Sequence, residues 1–132
     1  VEPAKHPMAG AFIEALKREI GAEKRRVCVI AGVDLAHVGG RFGDEDMKLT
    51  PTRRKIFEES DRTMLELILK GNASKFFDFI VEEDDKRRIC GFPAIYTMLK
   101  AMNLRKGELL HYDQSYEKAT NSLVTFCSAK FA

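Results

Sequence analysis

The stretch Val27–Val33, VCVIAGV, followed at once by Asp34–Asp44, DLAHVGGRFGD, decides how the rest of the chain is read. Seven apolar or small residues in a row, four of them β-branched, predict a strand covered on both faces, as in a largely parallel sheet. A strand of this kind needs helices on both sides of it. Upstream, Met8, Phe12, Ile13, Leu16 and Ile20 recur at helical spacing after Pro7, with Lys17, Arg18 and Glu19 on the other side, and Gly21 reads as the helix stop. Downstream, Asp34 to Leu49 carries Gly39, Gly40 and Gly43 and reads as a long loop at the strand's carboxyl end, a common place for function.

Farther out, Thr50 is placed to cap a helix with Pro51 at its first position and a stripe of Ile56, Phe57, Met64, Leu65 and Ile68, ended by Gly71. Asn72 caps a second helix through Phe76, Phe77 and Ile80 that runs into the charged block EEDDKRR, Glu82–Arg88, read as solvated. Gly91, Phe92 and Pro93 open a third helix carrying Ile95, Met98, Leu99 and Met102, which fades near Asn103. Glu108–Asp113 and Leu123–Phe131 read as a closing antiparallel pair, joined by a polar turn region from Gln114 to Ser122. This order predicts an α/β fold, a layered sheet with helices on its faces, in which a right-handed helical crossover links Val27–Val33 to Glu108–Asp113. Three strands with so many apolar helical stripes suit one half of a larger α/β body.

Composition narrows the function classes. The 132 residues are 45% apolar and 32% charged, which suits one globular domain over residues 1–132. Twenty-two Lys and Arg against twenty Asp and Glu leave a charge of +2, too balanced for a dedicated nucleic-acid binder. The basic runs Lys24–Arg26, Arg53–Lys55 and Lys86–Arg88 lack interleaved aromatics and read as solvated helix ends. No apolar stretch approaches the ~20 residues that span a bilayer, so no membrane role is expected. Three scattered cysteines, Cys28, Cys90 and Cys127, favour a reducing compartment and a cytoplasmic protein. The chain opens on Val1 in the turn-like VEPAKHP, and reads as a piece cut from a longer one.

Asp34 and His37 lie where open α/β sheets gather ligands, and a carboxylate beside an imidazole suits proton transfer or metal ligation. As isolated loop residues, Asp and His more often serve as cap and turn. Cys90 precedes Gly91 and the Pro93 helix, a helix start whose free N–H groups suit a thiol to metal binding or nucleophilic attack; its bland alternative is a small buried hydrophobe. Cys28 and Cys127 fall in strand patterns and read as packing, as do His6 and His111 as structural or exposed groups. Tyr112 and Ser115 flank the second strand's exit and are placed to donate hydrogen bonds into a cleft, although packing suits Tyr112 better. The glycines of GGRFGD match neither nucleotide-binding pattern, so no nucleotide cofactor is expected.

Three segments together, Val29–Asp44 (VIAGVDLAHVGGRFGD), Arg88–Met102 (RICGFPAIYTMLKAM), and LLHYDQSYE followed by VTFCSAKF, resemble the C-terminal half of the Memo family, whose bacterial members are also called AmmeMemoRadiSam system protein B. The resemblance implies a body similar in fold to class III extradiol dioxygenases, with a pocket between two related halves. It places Asp34 and His37 at the family's DxxH positions and Cys90 at its ICG position, beside histidines from an N-terminal half that has no counterpart in this chain. That donor set suits iron or copper, and implies a metal-dependent redox protein in the complete form, with the isolated chain holding metal weakly. The implied partners are the N-terminal half, another copy of the chain, and a small molecule or peptide. Two rival readings use the same residues: a non-catalytic ligand-binding module, and a Cys-His hydrolase, which needs Cys90 and His37 within hydrogen-bond reach and an oxyanion hole.

Overall fold

Capping chemistry places the helices close to where the sequence puts them. In the computed structural model, which describes residues 1–131, Thr50 Oγ1 accepts the Arg53 N–H at 3.1 Å and Pro51 fills the first position of helix α2 (Pro51–Leu69). Helix α1 (Pro7–Ala22) precedes it. Gly71, in the left-handed region at φ 71°, turns the chain after α2, and Asn72 Oδ1 accepts the Lys75 N–H at 3.1 Å to start α3 (Ala73–Glu82). Helix α4 (Phe92–Met102) has Pro93 in its first turn and ends at left-handed Asn103. Helix α1 corrects the expected stop at Gly21: it runs on to Ala22 and ends where Glu23 turns extended, its N–H held by the Glu19 and Ile20 carbonyls.

The sheet departs further from expectation. Strands β1 (His37–Gly39), β2 (Gly107–Glu117) and β3 (Ser122–Phe131) lie in the order β1-β3-β2, and both pairs are antiparallel. The fold is α/β, but no parallel pair occurs among the described residues. Strands β1 and β2 do run in the same direction, with α2 to α4 between them in sequence, yet β3 separates them. The expected crossover therefore starts from His37–Gly39 and reaches a strand that is not its neighbour. Strand β2 continues past Asp113 to Glu117, and the turn shrinks to residues 118–121.

Val27–Val33 is not a buried strand. It has no ladder partner, and Val27, Val29, Ile30 and Val33 are exposed, Ile30 to 83%. Pairing to β3 begins only at Leu35, whose N–H reaches the Thr125 carbonyl at 2.8 Å. Composition marks this segment as strand-like, whereas a strand needs a neighbour for its backbone groups, and that neighbour is a non-local fact. Between the segment, Met98 and Met102 of α4, and Phe131 of β3 lies an apolar cavity of about 530 Å³.

The main core joins Ile13 of α1, Met64, Leu65 and Ile68 of α2, Phe76 and Ile80 of α3, and Ile95, Tyr96 and Leu99 of α4. Val38, Leu49 and Leu123 form a smaller cluster under β1. At the centre is a polar knot that corrects the expectation of a wholly solvated Glu82–Arg88. Asp84, Asp85 and Arg88 are left-handed and curl the block back, so that Arg87, 4% exposed, pairs with Asp61, which is fully buried. Arg87 Nε also donates to Glu83 Oε2 at 2.9 Å, and the other Asp61 oxygen accepts the Tyr112 hydroxyl at 2.6 Å. Burial, with the Asp61 carboxylate beside it, pushes the Tyr112 hydroxyl well above the ordinary tyrosine range. No helix among the described residues is long and apolar enough to cross a membrane.

Breaking a buried pair leaves an uncompensated charge, which costs far more than losing an exposed one. Asp61→Ala is expected to lower unfolding free energy by about 3–5 kcal/mol. Lys130→Ala, which removes the exposed Lys130–Glu108 contact, is expected to cost under about 1 kcal/mol. Urea denaturation of the two variants measures the contrast.

Candidate functional site

Two short segments far apart in sequence are pressed together by backbone bonds. Leu35 and Ala36 are buried and fixed to Thr125: the Ala36 N–H donates to Thr125 Oγ1 at 2.8 Å, and the Thr125 N–H donates to the Ala36 carbonyl at 3.0 Å. On the other side, the His37 N–H donates to the Arg87 carbonyl at 2.7 Å. Arg88 then grips Asp44 through both carboxylate oxygens, at 2.8 and 3.0 Å, and donates to the His37 carbonyl at 3.3 Å. Gly91 permits the closest approach, since a Cβ there would sit 2.4 Å from the Asp34 carbonyl oxygen.

This packing brings Asp34, His37 and Cys90 into one group. His37 Nδ1 lies 3.2 Å from the Leu35 carbonyl, which can only accept, so Nδ1 carries a proton and, in the neutral ring, Nε2 presents the lone pair. That nitrogen lies 4.0 Å from Cys90 Sγ and 3.9 Å from Asp34 Oδ2. The Cys90 thiol is also 3.8 Å from the Asp34 carbonyl oxygen. Phe42 sets its ring edge-on to the imidazole, with centroids 5.2 Å apart. His37 sits in β1 rather than in a free loop, half-buried, while Asp34 and Cys90 are exposed.

The arrangement separates the candidate chemistries. A Cys-His-Asp relay holds carboxylate and thiol at opposite ring nitrogens. Here both face Nε2, which is the arrangement of groups that converge on a common ligand. Donors bound at metal–nitrogen and metal–sulfur distances of about 2.1 and 2.3 Å lie roughly 3.5 Å apart in a tetrahedral site. The Sγ–Nε2 separation of 4.0 Å is slightly wider. Among the described residues no group of three or more His, Cys, Asp or Glu side chains is close enough to hold a metal ion by itself. Imidazole, thiolate and carboxylate are donor types that transition metals accept, but these three do not by themselves make a metal site.

The other residues singled out in the sequence lie elsewhere. Tyr112 belongs to the Asp61 knot, and Ser115 is exposed on β2. Cys28 is exposed, against the expectation of packing, because its segment has no strand partner. Cys127 is half-buried, and burial pushes its thiol up. His6 and His111 are exposed, the latter 3.7 Å from Asp113. Sequence reasoning missed Arg88, Asp44, Thr125 and Gly91 as the frame of the site. Their one signal was position, with Arg88 and Gly91 flanking the cysteine and Asp44 closing the glycine-rich stretch.

A family model described as Memo-like protein matches residues 2–130. The chain is also 28% identical over 106 residues to a MEMO1 family protein of Aquifex aeolicus, covering 78% of this chain and 26% of that protein. It is 32% identical over 99 residues to a MEMO1 family protein of Thermus thermophilus, covering 73% and 28%. The chain thus spans about a quarter of the length of the curated relatives it matches.

The Asp44–Arg88 clamp gives the site frame a pH dependence. The hydrogen bond from Arg88 holds the Asp44 carboxyl below its ordinary 3.8, against the opposing effect of burial. A depressed carboxylate pKa stabilises the fold above the unfolded value and loses that contribution as pH falls through the folded value. Asp44→Asn is expected to cost about 1 kcal/mol or less near neutral pH, because Arg88 is partly solvated. The difference from the parent should close as pH drops below the ordinary aspartate value, and paired urea titrations at neutral and acid pH measure it.

Proposed function

The chain belongs to the Memo-like family, and from that premise we propose that it forms one wall of a metal-dependent redox pocket, to which Asp34, His37 and Cys90 contribute. The observation that carries this reading is the shared nitrogen: His37 Nε2, freed by the Nδ1 bond to Leu35, faces both Cys90 Sγ and Asp34 Oδ2 at about 4 Å. An iron or copper ion bound there would supply one-electron chemistry. His37 serves as the oriented imidazole donor and Cys90 as the thiolate donor. Asp34, half exposed beside the same nitrogen, accepts protons at the mouth of the pocket.

No three of these side chains are close enough to hold an ion together, whereas structural and catalytic metals take three or four protein ligands, so the proposed site is incomplete in this chain. We assign the remaining ligands to sequence of the kind that makes up the other three-quarters of the matched relatives, or to a second copy of the chain. The exposed apolar run Val27–Val33 supports such a neighbour, because it is a strand in composition that has no partner.

The chain titrated anaerobically with iron(II) or copper(I) is expected to bind about one ion, more weakly than micromolar. Cys90→Ser and His37→Ala should each abolish the binding. Affinity tighter than micromolar from this chain alone would overturn the half-site, and binding untouched by both substitutions would overturn the ligand assignment.

A further inference from the structure

The α1, α3 and α4 side of the molecule holds a second cavity, also of about 530 Å³, that shares no residue with Asp34, His37 or Cys90. Four basic side chains line it: Lys17 of α1, Lys70 at the end of α2, Lys100 of α4 and Arg105 in the connection to β2. Glu14 is the one carboxylate in its lining and Glu2 stands beside it against Ser74, so four positive charges against two negative ones give a local balance of +2. That equals the net charge of the whole chain. Elsewhere Arg25, Arg41, Arg62, Arg87 and Arg88 sit within ion-pair distance of carboxylates. Among the described residues Lys17, Lys70, Lys100 and Arg105 have no carboxylate within that distance, as is true of ten other Lys and Arg, so what sets the four apart is that they line one cavity; Arg105 reaches Asn103 Oδ1 at 3.4 Å.

The convergence is imposed by the backbone. Gly71 packs so tightly on the connection after α4 that a Cβ would lie 1.8 Å from the Leu104 carbonyl oxygen, and its φ of 71° is one that glycine adopts freely. Two chain connections are therefore locked in contact, and they hold Lys70 and Arg105 on the rim of one opening. The N-terminus of α3, at Ala73 and Ser74, enters the same wall and adds its positive end. Glu2, close enough to Lys100 to feel its charge, is engaged by the Ser74 and Tyr96 hydroxyls at 2.7 and 2.8 Å. Like charges gathered in a concave polar site repel one another unless an anion joins them.

We propose that this cavity is a binding site for a small polyanion carrying linked phosphate groups. Its volume exceeds that of a single phosphate, its walls offer amide donors from Asn72 and Asn103, and three lysines act as the point charges that suit phosphate. The site stands independently of the His37–Cys90 reading.

Calorimetric titration of the chain with inorganic pyrophosphate at physiological salt tests the proposal, with amide chemical shifts recorded in parallel. One pyrophosphate per chain should bind saturably, with shifts concentrated at residues 70–74 and 103–105. The double variant Lys70→Gln/Arg105→Gln, shown by circular dichroism to keep its fold, should weaken binding at least tenfold, whereas Lys130→Gln should leave it unchanged. Tighter binding of ADP than of pyrophosphate would identify a nucleotide as the source of the phosphates, and equal binding the free anion; either supports the site. Absence of saturable binding overturns it, as does equal weakening in the Lys130 control, which would reveal a diffuse electrostatic effect.

Discussion

The Asp61–Arg87 pair is the constraint on which the rest of the arrangement hangs. A carboxylate with no solvent exposure has to be neutralised by protein, and Arg87 does so from a turn that three left-handed residues bend inward. Once Arg87 is drawn into the core, its carbonyl is fixed as the acceptor for the His37 N–H, and Arg88 is left at the surface to hold Asp44. Ile89 is then buried and Cys90 emerges beside Asp34. A single desolvated ion pair thereby links α2, β2 and the turn before α4 to the spacing of the candidate site.

Much of the fold was legible because it is encoded locally. Thr50 with Pro51, Asn72, Pro93 and Asn103 each act within a turn of the helix end they define, and each does what its chemistry dictates. The sheet was misread because pairing is decided by distant residues: nothing within VCVIAGV says that β3 takes up its partner only at Leu35. The same limit hid the Asp61–Arg87 pair, since a charge run looks solvated until its backbone is known to curl inward. Cys90 stood out through a helix start, which is a local signal and is present, whereas Asp34 and His37 stood out through a strand end at Val33 that the structure does not form, His37 instead opening β1. Their supporting shell, Thr125 and the Asp44–Arg88 clamp, arises only when separate segments meet.

The two ring nitrogens of His37 divide the labour at that site. One is occupied by the backbone, through Leu35, and is unavailable to substrate or ion. The other is left with two acidic neighbours of different character, an oxygen donor and a sulfur donor, both reachable from solvent. If the proposed metal binds there, such a pairing of hard and soft donors would leave its choice to geometry and to further ligands.

Val27–Val33 has one more physical consequence. Seven residues with no charge and no proline, rich in β-branched side chains and exposed along an unpaired backbone, have the composition of a self-associating segment. The charges that bracket it, Lys24, Arg25 and Arg26 before and Asp34 after, are therefore gatekeepers. In parallel, in-register stacking like charges would fall on like charges and oppose cross-β growth, an effect that salt screens. Side chains outside the core thus act on how copies of the chain meet rather than on how one copy folds.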